Sequence, residues 1–583
     1  MSKDLIIKLL AILNKKQKQK IAGLILIILF GGILETVGVS LILPLISAIL
    51  DEAAFAQNEY VQMIMNMLHI SNIRVLVYLL IFLVIGMYIF KGAFLVFSTY
   101  LQARFVNRNR CQCTTNLLRQ YLNKPYEYYL YAETSTILRT IYGDMDNVFN
   151  LLMQCLNFAA ELVVSICLGI FLFVMDPALM IVIVGLLFVT TIFISKVVKP
   201  KLNSVGEEAR GAQADLYKWI LQSVTGIKDV KVANKEEYFI KGYRGSASAY
   251  AGYQIQNNVL TNIPRLLIES IAICGILLYV VISMMAGTPM SNLLPLISAF
   301  AMAAMRLLPS VNRLNTYMAN IAYYEPALNY IYENVDTEEL KKLYEDIETL
   351  EDKSAAQLSL KQQIGLTDIT FAYPNTDKKI FDHADMVIPV GKSIGVVGAS
   401  GAGKTTIVDV LLGLLKLQGG KITSDGVDIF DNYESWLSHI GYIPQTIYML
   451  DASIRNNIAF GVKEEDIDDK RVWEVLEQAQ MKSFVEGLPD KLDSQIGERG
   501  VRISGGQRQR LGIARALYHD PELLVFDEAT SALDNDTETA IMEAIDTLHG
   551  QKTMVIIAHR LRTIENCDII YEVKDGKIIR TKE

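Results

Sequence analysis

The chain has no pair of CxxC elements. Its six cysteines (Cys111, Cys113, Cys155, Cys167, Cys274 and Cys567) include three within apolar segments, so neither a zinc site nor a disulfide framework is expected. It also lacks a basic excess. The net charge is −8, and a protein that neutralises nucleic-acid phosphates needs a field of Lys and Arg, so nucleic acid is not an expected partner. No A-x-A-like cleavage site follows the N-terminal MSKDLIIKLLAILNKKQKQK, which is basic and runs straight into a long apolar segment. It reads as a retained anchor and not as a signal peptide. What the 583 residues have in excess is apolar surface: 51% are hydrophobic, too many for a soluble protein of this size.

Stretches long enough to span a bilayer, about 20 residues each, fall near 21–48, 76–103, 149–175, 178–198, 264–285 and 292–318. The segments after the first, third and fifth carry little positive charge. Those after the second and fourth are basic: six Lys/Arg lie between Arg104 and Asn147, and ten between Lys196 and Arg244. Both basic segments, and both termini, are therefore expected in the cytoplasm. They are too long for simple turns, so helices two to five should continue beyond the membrane. A six-span transmembrane domain at 1–330 is followed by an acidic linker at 331–362. Residues 363–583 alternate β-like and helical segments, which suits one α/β domain.

In that second half SIGVVGASGAGKTTIVDVLLGLL fits a strand, a glycine loop and a helix, with G-x-x-x-x-G-K-T at Gly398 to Thr405. Backbone N–H groups of Gly398, Ser400, Gly401, Ala402 and Gly403 can wrap phosphates, with Thr406 in the following turn. Lys404 would neutralise their charge and the Thr405 hydroxyl would ligate Mg²⁺. ELLVFDEATSALD is an apolar strand ending in Asp527 and Glu528. Asp527 can hold the metal through water, and Glu528 can align and polarise an attacking water. Without the upstream loop, a solvated acid pair at an edge strand would explain them equally well.

RISGGQRQRLGIARAL, residues 502–517, resembles the signature motif of ATP-binding cassette (ABC) transporters, with Ile503 where most of that family has Leu. The resemblance implies a head-to-tail homodimer in which Ser504, Gly505, Gly506 and Gln507 close over ATP held on the opposite chain. Further residues resemble the family's in order: Tyr373 the adenine-stacking aromatic, Gln445 the Mg²⁺-sensing glutamine, Glu498 a cross-talk residue, Asp534 a dimer-interface residue, and His559 the γ-phosphate histidine. Taken singly, Tyr373 suits a core position and His559 a satisfied strand end. Six helices followed by a nucleotide domain look like an ABC exporter half-transporter: an ATP hydrolase that uses ATP and Mg²⁺, in the cytoplasmic membrane with its nucleotide domain inside. Coupling helices are implied near Tyr128–Arg139 and Ala212–Thr225, where tyrosines 126, 128 and 129 and Trp219 suit a docking contact; an ordinary amphipathic surface helix is the alternative.

Membrane-depth cations bear on the cargo. Arg306 and Arg313 are seven residues apart, two helical turns, and neither has an acidic neighbour within four positions. Lys91 lies inside span two and Arg265 near the start of span five, with Glu269 four residues away. Such charges face a cavity, a partner or an anionic ligand. Glu35 and Glu161, in spans one and three, leave mutual neutralisation open. Together with ETVGVSLILPLI, these segments look similar to the lipid-linked oligosaccharide flippases, which hold a polyprenyl diphosphate with basic side chains at positions matching Arg265, Arg306 and Arg313. At the matching place in span two Lys91 keeps the charge without the bidentate fork. After span one, NEYVQMIMNMLHI places Val61, Ile64, Met65 and Leu68 on one face, as an interfacial external helix requires. In the flippases a helix here is thought to engage the lipid tail; a lid without ligand is the other reading. The expected cargo is a polyprenyl-diphosphate glycolipid, moved for glycan or glycoprotein assembly and reached through membrane lipids. An exporter of drugs, lipids or peptides is the alternative. A dedicated peptide exporter often adds an N-terminal protease domain, and only about 20 residues precede span one here.

Overall fold

The computed structural model describes residues 3–41, 59–67, 72–175, 192–285, 290–342, 358–374, 376–497, 500–528, 542–543, 545–558 and 564–582. Their contacts divide the chain into two compact units, Met1–Lys124 with Tyr131–Glu351 and Pro125–Leu130 with Asp352–Glu583.

The first unit is helical. Helix α1 (Lys3–Ile12) buries Leu5, Leu9 and Ile12 on one side. Asn14 then turns the chain into α2 (Lys15–Ser40): the Gln17 N–H donates to Asn14 Oδ1 at 2.8 Å, and the Asn14 N–H to Gln17 Oε1 at 2.9 Å. This reciprocal pair satisfies donors that a helix start leaves without partners. Helix α3 (Glu59–Met67) stands where the external helix is expected, with Val61 8% exposed; Leu68 lies outside the described residues, as does the side chain of Ile64.

Helix α4 (Ile73–Leu122) has 50 residues, and at 1.5 Å per residue it is about 75 Å long, well beyond the ~30 Å hydrocarbon core. Asn123 ends it, and Pro125 starts α5 (Tyr126–Tyr129), which belongs to the second unit. Helix α6 (Thr134–Leu138) passes through a π-helical turn, Arg139–Asp144, into α7 (Met145–Met175). Beyond residues 176–191 come α8 (Lys199–Thr225), α9 (Ile227–Val232), α10 (Glu236–Met285), α11 (Met290–Asn334) and α12 (Thr337–Lys342). Most of the fourth expected span therefore lies outside the described residues, while the fifth and sixth fall inside unbroken helices. Among the described residues three helices are long and apolar enough to cross a membrane: Lys15–Gly38, Ile73–Leu122 and Thr134–Cys167.

Packing within this unit runs α11 against α7, α8 and α10, and α2 against α4 and α7. At Gly206 the backbones of α8 and α11 approach so closely that a Cβ would stand 2.2 Å from the Tyr323 carbonyl oxygen. Beside it Asp144, fully buried, takes two bonds from Arg210, at 2.6 and 3.2 Å, and one from Arg139 at 3.2 Å. Both guanidinium groups lie over the Tyr330 ring, at 4.4 and 4.9 Å. A buried carboxylate is tolerable only when satisfied in this way.

The second unit carries two sheets. The antiparallel sheet has order β2-β1-β4-β5, from β1 (Gln363–Ala372), β2 (Lys379–Pro389), β4 (Gly419–Ser424) and β5 (Val427–Asp428). The other has order β10-β9-β3-β8-β7-β6, from β3 (Ser393–Val397), β6 (Ile440–Ile443), β7 (Leu523–Asp527), β8 (Thr553–Ile557), β9 (Ile569–Lys574) and β10 (Lys577–Lys582). Its inner strands are parallel, and β3, β7 and β8 are apolar and almost wholly buried, as strands covered on both faces must be. Helix α13 (Lys404–Leu411) follows β3, α14 (Asp469–Gln478) lies further along, and α15 (Gly505–Leu517) precedes β7.

Two boundaries shift. The docking segment expected at Tyr128–Arg139 is Pro125–Leu130 in the structure, because Pro125 opens the short helix and residues from Tyr131 onward return to the first unit. The second expected segment, Ala212–Thr225, is the C-terminal half of α8 in the first unit.

Candidate functional site

Buried β3 delivers the chain to a loop, Gly398–Gly403, and α13 starts at once. Gly403 caps that helix at φ +107°, where a Cβ would stand 2.7 Å from Ile380 Cγ2, so only glycine fits. Lys404 is 5% exposed and bends back over the loop, its Nζ donating to the Gly398 and Ala399 carbonyls at 2.9 and 3.1 Å. Ser400, Gly401 and Thr405 are exposed and Ala402 is half-buried. The Tyr373 hydroxyl lies 3.1 Å from Thr406 Oγ1, and its ring meets Phe371 edge-on at 5.1 Å. The aromatic is thereby held beside the loop, half-buried.

The acid pair converges on the same place. Asp527 ends β7, and Glu528 adopts φ +49°, its N–H held by the Ile557 carbonyl at 3.1 Å. Gln445, two residues past β6, donates through Nε2 to Glu528 Oε2 at 2.7 Å. Asp527 is 5% exposed and its Oδ1 has no partner. Burial, with the adjoining Glu528 charge, pushes its carboxyl up to about 6 against smaller opposing effects of the Tyr442 hydroxyl and Lys404. Asp409, on α13, is also raised to about 6, by burial and then by Asp527. A cation, two carboxyls raised by burial and a glycine loop at a helix start converge here, an arrangement that suits a phosphate and its metal. Among the described residues no cluster of three His, Cys, Asp or Glu could hold a metal unaided.

Ser504 caps α15 with a full capping box: its N–H donates to Gln507 Oε1 at 2.9 Å, and the Gln507 N–H to Ser504 Oγ at 3.2 Å. Gly505 begins the helix, Gly506 is buried behind it, and Ile503 packs on the core in the place that Leu takes in most of the family. Glu498, Asp534 and His559 lie outside the described residues.

In the first unit the membrane cations find partners that the local sequence does not offer. Arg313 donates from Nε and Nη2 to Glu161 at 2.7 and 2.9 Å, and Lys91 stands 3.5 Å from Glu35. The lack of an acidic neighbour along α11 is thus made good from α7. Arg265 is exposed, as is Glu269. Arg306 is in α11, with its side chain outside the described residues.

Residues 21–308 match the ABC transporter transmembrane region, and 381–531 match the ABC transporter family. The chain belongs to the ABC transporters. It is an ABC exporter half-transporter, and ATP hydrolysis coupled to transport is the family's activity. Its relatives include an ATP-dependent lipid A-core flippase of Ralstonia nicotianae, 26% identical over 85% of this chain and 83% of that protein. A protein of the same name from Methylobacillus flagellatus is 30% identical over 66% and 64%. A multidrug resistance ABC transporter ATP-binding and permease protein of Lactococcus lactis is 32% identical over 64% and 62%. For the last two, the matched part is less than two thirds of the relative's length. A solved structure of a bacterial Atm1-family ABC exporter with ATP bound shares the fold, with TM-score 0.75 and 21% identity over 97% of this chain and 95% of that one.

Three contributors to this ABC transporter's sites escape a motif reading. Asp409 stands between motifs in an apolar helix, and its only sequence signal is a carboxylate five residues past the P-loop lysine. Glu127 accepts from the Lys416 N–H at 2.7 Å, 289 residues away. Glu161 stands in the sequence as a candidate neutralising acid, but its choice of Arg313, across 152 residues, belongs to no motif.

Proposed function

We propose that this ABC exporter works as a homodimer in the cytoplasmic membrane, nucleotide units in the cytoplasm, and flips a polyprenyl-diphosphate-linked oligosaccharide for glycan or glycoprotein assembly. ATP binding engages Lys404, the loop N–H groups from Gly398 to Gly403, Thr406 and Tyr373. The partner's Ser504, Gly505, Gly506 and Gln507 close over it, with Asp534 at the interface. The orphaned, buried Asp527 Oδ1 suits a site that receives Mg²⁺, and Thr405, Gln445 and Asp527 would hold it. Bound there, Mg²⁺ would neutralise phosphate charge. Glu528, oriented by Gln445, takes the proton of the attacking water, and His559 contacts the γ-phosphate.

The observation that carries the cargo reading is Arg313. Its side chain is 46% exposed at membrane depth, and a carboxylate already holds its fork in the bidentate geometry that a diphosphate would use. Cargo binding is then an exchange of anions, Glu161 for diphosphate, with Arg265, Arg306 and Lys91 adding charge. Relatives named as lipid A-core flippases support a lipid cargo. The second reading is a drug exporter, favoured by the Lactococcus lactis relative and by the Arg313–Glu161 and Lys91–Glu35 pairs, which offset two of the four cations.

The two readings part on Glu161→Gln. If diphosphate competes with Glu161, that variant binds and flips a short-glycan polyprenyl diphosphate in proteoliposomes at lower substrate concentration, while Arg313→Ala weakens binding roughly ten- to a hundredfold. If the pair is only structural, both variants lose stability and neither changes substrate dependence. That outcome removes the cargo assignment and leaves the ATPase untouched.

A further inference from the structure

A cavity of about 930 Å³ opens between the start of α2 and the middle of α4. Its walls are one face of each helix: Lys20, Gly23, Leu24 and Ile27 recur at helical spacing on α2, and Leu101, Arg104, Phe105 and Arg108 on α4. Lys20 precedes the first apolar span by one residue and Arg104 follows the second by one, so the three cations sit at the cytoplasmic surface of the bilayer.

No Asp or Glu lines the cavity, and among the described residues none forms an ion pair with Lys20, Arg104 or Arg108. Arg110, two residues past Arg108 and so turned off this face, does pair, with Asp146 at 3.4 Å. At the far end stands Asn116, fully buried, with neither Nδ2 nor Oδ1 partnered. Being wholly shielded, that amide is closed to a ligand in the cavity, and recognition falls to the three cations. Toward the membrane the wall turns apolar at Leu24, Ile27 and Leu101. Phe97, two turns before Arg104 on the same face, is 52% exposed.

We infer that this cavity binds the headgroup of an anionic phospholipid from the cytoplasmic leaflet, its phosphate among Lys20, Arg104 and Arg108 and its acyl chains along Leu24, Leu101 and Phe97. Basic recesses between membrane helices on the cytoplasmic side suit such headgroups, and their apolar continuation favours a lipid over free phosphate. The inference is independent of the cargo: the cations involved are not Lys91, Arg265, Arg306 or Arg313. It makes the surrounding lipid a ligand of the exporter and not only its solvent.

The test uses the full-length protein in nanodiscs of phosphatidylcholine, with and without phosphatidylglycerol, and native mass spectrometry of the lipids that stay bound. Wild type should retain phosphatidylglycerol over phosphatidylcholine, and excess inorganic phosphate should not displace it. Lys20→Gln with Arg104→Gln and Arg108→Gln should weaken retention about a hundredfold, at roughly fivefold per cation. Arg104→Lys with Arg108→Lys should keep most of it, and ATPase in pure phosphatidylcholine should match wild type in all variants. Equal retention by the triple variant, no preference between the two lipids, or displacement by inorganic phosphate overturns the inference. So does loss of dimer in the triple variant without any lipid preference in wild type, which would mean that a second copy of the chain fills the cavity. Should the triple variant fail to fold, wild-type preference and its reduction in Arg104→Gln are read instead.

Discussion

Glu528 is held by its backbone as much as by its neighbours. At φ +49° a non-glycine residue is strained, and such strain persists only where the surroundings over-determine it. Glu528→Gln keeps the bond partner of Gln445 but cannot take up a proton, so hydrolysis should fall by at least about a hundredfold while ATP binding persists. Phosphate release and nucleotide binding on one preparation check this, and near-normal turnover would remove the residue from catalysis. Asp409 and Asp527 give a pH-dependent counterpart. Each has a carboxyl raised to about 6, so the stability of the protonated form is complete below the ordinary carboxylate range and is lost as pH rises through about 6. Asp409→Asn removes that loss: without nucleotide at pH 7.5 the unfolding midpoint of the second unit should rise by about 2–4 °C. At pH 5, inside that window, the gain should roughly halve, and it should vanish only below about pH 4. A gain independent of pH would assign the effect to packing.

At the scale of elements, contacts between helices decide more than their propensities. Gly206 lets α8 and α11 touch backbone to backbone, and Gly206→Ala should cost about 1–3 kcal/mol, read as an earlier loss of the monodisperse peak on heating. Helix α5 is too short to hold itself, and Glu127 ties it to the Lys416 N–H. Glu127→Ala should leave basal ATPase near wild type and lower transport per ATP hydrolysed, measured in proteoliposomes; unchanged coupling would make the contact incidental. The loop around Lys404 and the start of α15 were legible in the sequence because their chemistry is local, with glycines and a hydroxyl at fixed spacing. Helix α1 was not resolved from the anchor, since Leu5, Leu9 and Ile12 continue the same apolar composition and only the Asn14–Gln17 exchange separates them. The Arg313–Glu161 pair joins two helices whose register no single sequence reports. Pro125 shifted the docking segment because the tyrosines marked its neighbourhood but not its bounds.

For the whole molecule, the open expectation is the dimer. Ser504 already uses its Oγ on its own helix, yet its exposed position at the start of α15 suits an anion that this chain does not supply. Ser504→Arg should stop hydrolysis at the opposite site, so mixed dimers with one altered subunit should lose activity at one site or both; full activity would end the head-to-tail arrangement. The membership of Pro125–Leu130 in the second unit has a consequence in time. A ribosome adds about 5–20 residues per second. The chain between Glu127 and Lys416, 289 residues, therefore takes about 15–60 s to make. The nucleotide unit's first piece is translated before most of the membrane helices and waits through their insertion. Its assembly is finished only when the rest of its fold arrives to claim it.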